Sequence, residues 1–131
     1  MTAESWLQVA HERGTDAHQL RETERALAAI YMAGYVVECT LKAFLHREGK
    51  RYPTSGREGH NLHGLWEAAG FKLNDLQGYR RLFIETWNTE LRYQQTLPRR
   101  SDHHALFQGA ISLTGYIQKN IRRSRRQRRF L

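Results

Sequence analysis

The fold of this 131-residue chain is decided by the stretch AAIYMAGYVVECTLKA at positions 28–43. Apolar side chains cover nearly the whole circumference of the helix that this stretch favours, from about Glu22 to Arg47. A helix that is apolar all round is typical of the centre of a bundle, because other elements must cover every face. Its small residues Ala29, Ala33 and Gly34 allow a neighbour to approach closely.

Helical spacing of apolar residues continues on both sides of this central helix. Residues 51–59 are expected to form a loop. Gly14 and Thr15 weaken the first helix, so a kink or a short break at these positions is an open alternative. The expected flanking helices are Ala3–Leu20, Leu62–Ala69 closed by Gly70, a helix from the N-cap Asn74 through Leu91 that ends before Pro98, and a last helix starting at Ser101 and Asp102. No period-two alternation is found, so the sequence predicts an all-α, mostly antiparallel bundle of four or five helices.

Positive charge is concentrated at the end of the chain. Six of the 21 Lys and Arg residues lie in the last ten positions. The rest of the chain has 15 basic and 13 acidic residues. We therefore predict a bundle at 1–121 and an arginine-rich tail at 122–131. The candidate nucleic-acid-binding residues are Arg122, Arg123, Arg125, Arg126, Arg128 and Arg129, because arginine neutralises phosphate. An electrostatic tail without a specific partner, or a contact for an acidic protein, is an equally good interpretation.

Composition excludes several other classes of protein. A single cysteine, Cys39, excludes an intrachain disulfide, and the longest apolar run, Ala26–Val37, is too short to cross a bilayer. We expect a cytoplasmic protein that binds no membrane. The pairs His60/His63 and His103/His104 lack the further ligands that zinc needs, and no phosphate-binding glycine loop is present. The sequence therefore predicts neither a metal nor a cofactor.

Two charged residues on the central helix form a candidate polar centre. Glu38 and Lys42 lie four positions apart, so they share a face and can pair. We expect His60 and Arg92 to join them. The pair either fixes helix register or takes part in ligand binding, and the former is favoured because buried charges are usually paired.

Residues 28–43 resemble the central-helix signature of HEPN domains, the higher-eukaryote and prokaryote nucleotide-binding family. Two further pieces follow in the family's order. His60–Leu65 resembles a His-Asp-Leu motif with Asn61 in place of the acid, and Leu91-Arg92-Tyr93 resembles an Arg-Tyr motif. The resemblance covers about residues 6–119 and implies an α-helical bundle that forms a homodimer.

The resemblance also implies two kinds of activity. Some members are partners of minimal nucleotidyltransferases in toxin–antitoxin pairs, and others are metal-independent ribonucleases that use an Arg-x(4–6)-His motif. Three matches to that motif occur, about the number expected by chance, and Arg99 with His104 is the only match beside the start of a late helix. These two are the candidate catalytic residues.

Three functions remain open at the level of sequence. The preferred one is a non-catalytic HEPN-like module that acts through a protein partner, such as a nucleotidyltransferase or an antitoxin, and that binds nucleotide or RNA. The second is a dimeric metal-independent ribonuclease. The third is a purely structural dimerisation domain.

Overall fold

A computed structural model of the chain describes residues 1–96 and 102–130. Six α-helices and no strand occur within these residues, which confirms the all-α bundle. The helices are α1 (Ala3–Glu22), α2 (Ala26–Arg47), α3 (Gly56–Gly59), α4 (Leu62–Ala68), α5 (Gly78–Thr86) and α6 (His103–Phe130). Two 3₁₀ turns, Leu73–Asp75 and Thr89–Tyr93, lie on either side of α5.

Helix α1 is unbroken, so Gly14 and Thr15 introduce no break in it. A capping box between Thr2 and Ser5 starts this helix, and each side chain accepts from the other residue's backbone N–H. The short link to α2 turns the chain back on itself, with Glu24 at a φ of 60°. The buried residues Ala3, Ala10 and Ala17 recur every seven positions, and small side chains at this spacing let two helices pack closely.

Helix α2 is the centre of the bundle, as the sequence predicts. Thirteen of its 22 residues are buried, and α1, α4, α6 and the 3₁₀ turn at 89–93 all pack against it. It is long and apolar enough to meet the length and hydropathy of a membrane span, but 67% of that stretch is buried inside the bundle. Its hydrophobicity is accounted for by this packing.

Two segment predictions are wrong. Residues 51–59 contain the helical turn α3, which begins at Gly56 with a φ of 72°. The helix expected from the N-cap Asn74 through Leu91 spans only Gly78–Thr86. Asn74 lies in the 3₁₀ turn Leu73–Asp75 and Gln77 is the N-cap, while at the other end Trp87 leaves helical geometry with a ψ of 132°. The apolar spacing continues past Trp87, but the packing of its indole on α2 overrides that local preference.

The remaining helix ends follow the expected chemistry. Gly70, at a φ of 86°, ends α4, with its N–H donating to Glu67 O and the N–H of Phe71 donating to Trp66 O. Asp102 caps α6, since its Oδ1 accepts from the N–H of Ala105 at 3.1 Å. The apolar residues that α6 buries are Leu106, Phe107, Ala110, Leu113, Ile117 and Ile121.

Candidate functional site

A buried ion pair lies inside the bundle on α2. Lys42 Nζ is 3.0 Å from Glu38 Oε2, and the two residues are 1% and 3% exposed. The i,i+4 spacing places both side chains on one face of the helix. Taking two charges out of water is costly unless both are paired and hydrogen-bonded, so the remaining groups around them matter.

Lys42 has two further neighbours. Its ammonium group lies 4.9 Å from the centroid of a Trp6 ring and donates to the carbonyl oxygen of Thr54 at 3.4 Å. The first contact is a cation–π interaction from α1, and the second ties the loop before α3 to the core. Lys42 therefore lies in the interior of the bundle and is almost completely shielded from solvent.

His60 is the second hydrogen-bond partner of the Glu38 carboxylate. Its Nδ1 is 2.7 Å from Glu38 Oε1, and its side chain is 33% exposed. An ionised carboxylate only accepts hydrogen bonds, so Nδ1 carries the proton and donates. Glu38 therefore fixes the tautomer and orientation of the ring, and Nε2 is the nitrogen left for other partners.

Aromatic rings form the wall beside this histidine. Tyr35 meets His60 edge to face at 5.7 Å, and Trp87 meets Tyr35 in the same way at 5.3 Å. The Tyr35 hydroxyl lies 2.9 Å from the Tyr31 hydroxyl. Burial, the hydrogen bond with Tyr31 and the nearby charge of Glu38 raise the pKa of Tyr35, so it remains neutral.

Trp87 reaches this wall because of a glycine. A β-carbon at position 34 would overlap the indole, so only Gly34 allows the ring to lie directly on the backbone of α2. The indole Nε1 donates to the carbonyl oxygen of Tyr31 at 3.1 Å. The sequence indicated a close approach at Gly34 but did not identify the partner.

Arg92 is close to the polar centre but not part of its ion pair. It makes no hydrogen bond with Glu38 in the described part of the chain, and its guanidinium carbon lies 4.8 Å from the Tyr93 ring centroid. A hydrogen bond with the Tyr31 side chain raises the pKa of Arg92. The residue is exposed, so it presents charge to solvent.

An open cleft of about 630 Å³ joins His60 and Arg92. Its lining consists of Gly56, Arg57, His60, Asn61, Trp87, Asn88, Thr89, Glu90 and Arg92. Two arginines and one acid line it, so its rim is cationic. Arg57 and Trp87 are not among the site residues predicted from the sequence, and neither carries a local pattern that marks it as one.

The candidate catalytic pair has a different setting. Arg99 lies outside the described residues. His104 is exposed in the first turn of α6, and its Nδ1 lies 2.5 Å from Nη2 of Arg21, a residue that the sequence analysis did not select. Arginine only donates, so Nδ1 accepts and a neutral His104 carries its proton on Nε2. In this arrangement Nδ1 is not available to other partners.

The arginine-rich segment continues helix α6. The helix runs unbroken across the predicted boundary at 121/122 as far as Phe130. Arg122, Arg123 and Arg126 are exposed, whereas Ile121 is buried and Ser124 hydrogen-bonds Glu48 at the end of α2. The side chains of Arg125, Arg128 and Arg129 are outside the described set.

Two further features bear on chemistry. Burial, with a smaller effect of Glu38, raises the pKa of the Cys39 thiol to about 11 and makes it a poor nucleophile at neutral pH.

No group of three or more His, Cys, Asp or Glu side chains converges to hold a metal within residues 1–96 and 102–130.

The fold and the site define a small helical-bundle domain built around a buried, hydrogen-bonded ion pair. The model of the HEPN domain family matches residues 3–119, nearly the whole chain, and the protein belongs to this family. No curated protein and no solved structure matches the chain.

Proposed function

We propose that this HEPN protein is a non-catalytic RNA-binding module that acts together with a protein partner. The observation that carries the proposal is the continuous helix α6, which extends the bundle into a segment with six arginines and no acid. Because the rest of the chain has only two more basic than acidic residues, binding to phosphate is concentrated in this segment.

The spacing of the arginines supports a phosphate-binding surface. At about 100° per residue, positions 122, 123, 125, 126 and 129 fall within roughly 160° of the helix circumference, so they lie on one side of the helix. Ser124, which hydrogen-bonds Glu48, holds the opposite side against the bundle. All six basic residues are arginine, the side chain that pairs with phosphate through two parallel hydrogen bonds.

The setting of His104 favours binding over cleavage. Its Nδ1 is paired with the guanidinium of Arg21, a half-buried cation, so that nitrogen is not free to act on a substrate hydroxyl. A metal-independent ribonuclease needs a group that takes the proton from the ribose hydroxyl. The partner part of the proposal is supported by membership of the HEPN family, which includes partners of minimal nucleotidyltransferases.

The test is RNA binding as a function of salt. We expect the triple variant Arg122→Gln/Arg123→Gln/Arg126→Gln to lower affinity for single-stranded RNA and to reduce the slope of log K against log salt by about 2, since each neutralised phosphate contributes about 0.7. The matched control, Arg25→Gln/Arg51→Gln/Arg81→Gln, removes the same charge elsewhere. Equal losses in both variants would mean that net charge alone attracts RNA. Preferential binding of an acidic peptide would contradict the choice of RNA.

Cleavage is tested separately. The purified protein, incubated with single-stranded RNA in EDTA, is expected to leave the RNA intact, as is His104→Ala. Cleavage by the wild-type protein that disappears in His104→Ala would overturn the proposal in favour of a ribonuclease. Detection of a stable complex with a co-expressed nucleotidyltransferase from the same locus would support the partner, and its absence would contradict that part alone.

A further inference from the structure

We propose that a groove between α1 and α6 binds one amphipathic helix of a protein partner, with the acidic residues of that helix at the end where α6 leaves the bundle. The groove consists of two adjoining cavities of about 830 and 300 Å³, which share Gly14, His18, Val36 and Gln118. The inference names the docking surface for the partner in the proposed function and rests on that part of it.

The first argument is the shape of the groove. Helices α1 and α6 both pack against α2, and the start of α6 lies beside the end of α1, where His104 Nδ1 accepts from Arg21. The two helices therefore run antiparallel and form the walls, with α2 as the floor. The lining residues lie within 7–22 on α1 and 107–122 on α6, so each wall is about 22 Å long at 1.5 Å per residue. About four turns of an added helix fit this length.

The second argument is apolar surface that the bundle leaves uncovered. Val36 is only partly buried although it lies in the middle of α2, and Leu7 on α1 is partly buried as well. Ile111 on α6 is 39% exposed. All three line the groove, one from each helix, so they form one continuous apolar surface. Contiguous apolar surface of this kind marks interaction sites, and an elongated groove takes the apolar face of an amphipathic helix.

The third argument is the room for close approach. Gly14 and Gly115 lie on opposite walls of the smaller cavity. A β-carbon added at Gly14 would come no closer than 4.0 Å to Val36, and one added at Gly115 meets no atom of the described residues within 4 Å. Glycine weakens a helix interior, and the packing of the described chain requires it at neither position. Two open positions on facing walls let the backbone of a third helix lie close to both.

The fourth argument is charge, which identifies the kind of helix. On α6, Gly115 and Gln118 line the groove, and Arg122 and Arg126 continue this row at spacings of four. Both arginines are exposed, and the last ten residues of the chain hold six arginines and no acid. A helix in the groove meets these cations at its open end, so acidic side chains there provide the complementary charge.

A second copy of this chain does not match the groove. The large apolar side chains that it exposes, within the described residues, belong to four separate parts of the chain: Met1, Tyr79, Tyr93, Ile111 and Tyr116. No described helix therefore offers an exposed apolar stripe with acidic residues beside it. A second copy of α6 would also bring arginines against arginines.

The binding experiment uses phage-displayed helical peptides of roughly 18 residues, or five turns. All carry apolar residues at spacings of three and four. One library has Glu at the flanking positions, a second has Lys there, and a third has the composition of the first in shuffled order. We expect the immobilised full chain to enrich the Glu library over both others.

Gly115→Trp is the variant that fills the groove. Its added side chain enters open space, so we expect an unchanged melting temperature and an affinity for the selected Glu peptides at least about tenfold lower, measured by fluorescence anisotropy. His63→Trp adds the same ring at an exposed position of α4 outside the groove and should leave affinity unchanged. Arg122→Glu replaces attraction by repulsion at the open end and should weaken binding about tenfold.

Three results would overturn the proposal. The first is no enrichment of the Glu library. The second is equal affinity of the selected peptides for wild type and Gly115→Trp, which would mean that the arginines alone attract them. The third is conversion of a dimer into a monomer by Gly115→Trp in sedimentation, which would make a second copy the occupant.

The same variant separates this proposal from the proposed function. Gly115→Trp should bind RNA as the wild-type protein does, because it leaves every arginine of α6 in place. A co-expressed nucleotidyltransferase that binds wild type and Gly115→Trp equally would overturn the groove and leave the partner. Loss of that complex in Gly115→Trp but not in His63→Trp would support both.

Discussion

Charge is held in opposite ways in two regions of the molecule, the polar centre on α2 and the end of α6. Glu38 is almost completely buried and has a partner on each oxygen, Lys42 on one and His60 on the other. At the end of α6, Arg122, Arg123 and Arg126 are exposed. The positive charge of this segment comes from several arginines that are close together in the sequence.

This difference determines how each region responds to change. A buried network responds strongly to loss of one member and weakly to salt, because the partner left behind remains desolvated. An exposed row of arginines loses a little affinity with each substitution and is strongly salt-dependent. Mutation and salt titration therefore identify which region produces a given effect.

The largest expected effect is at Gly34, which supports the wall of the buried region. Gly34→Ala places a β-carbon inside the indole of Trp87, so the ring must move and the hydrogen bond from its Nε1 to Tyr31 must break. We expect a loss of about 3 kcal/mol or more in the free energy of unfolding, measured by urea denaturation.

Gly115→Ala on α6 is the matched control for this substitution. No atom lies within 4 Å of its added carbon, so the helix should gain about 0.5–1 kcal/mol. Equal changes at both positions would show that backbone freedom, not the packing of Trp87, dominates at Gly34.

The next effect in size is at the ion pair. Lys42→Met leaves the Glu38 carboxylate buried with His60 as its remaining partner, and should cost about 3–5 kcal/mol. The double variant Lys42→Met/Glu38→Gln should recover part of this loss, because no buried charge is then left alone. Thermal unfolding measures both, and a silent Lys42→Met would contradict the buried pair.

An alkaline transition provides a third and smaller effect. The pKa of Cys39 is raised to about 11 from 9.0 in the unfolded chain, and that of Tyr35 is raised as well. Both groups are held neutral, so their contribution to stability is complete below pH 9 and declines as the pH rises towards 11.

The measurement is the free energy of unfolding between pH 8 and 11, at constant ionic strength. Cys39→Ala should show a smaller decline over this range than the wild-type protein. Identical curves for the two proteins would mean that the thiol titrates equally in the folded and unfolded chains.

The smallest effect is expected where α6 meets α2. Ser124→Ala removes the hydrogen bond to Glu48 and should cost about 1 kcal/mol or less, since this contact is partly exposed. RNA affinity at fixed salt should change less than in the triple arginine variant. A larger loss than in that variant would mean that anchoring of the helix, and not its charge, controls binding.

The sequence predicts the helices and core of this molecule better than its clefts. Helical periodicity and capping residues are local signals, so α2, the end of α4 at Gly70 and the buried stripe of α6 could be predicted. The end of α5 could not, because Trp87 turns away to reach Gly34, more than fifty positions earlier. Such a long-range contact leaves no periodic signal.

The polar centre was predictable only in part, because one of its contacts is local in the sequence and the other is long-range. The spacing of Glu38 and Lys42 places them together on any helix, whereas the hydrogen bond between His60 and Glu38 depends on how α3 and α4 return to α2. Arg57 and Arg21 carry no distinguishing local pattern, and only the folded chain brings them beside His60 and His104.

The unbroken course of α6 links the direction of its arginines to the core. At 1.5 Å per residue its 28 residues are about 42 Å long, and each residue turns the helix by about 100°. The buried stripe that ends at Ile121 therefore sets the angular phase of every later position. A single residue inserted after Ser124 would turn the following arginines by more than a quarter of a revolution without altering their number or charge.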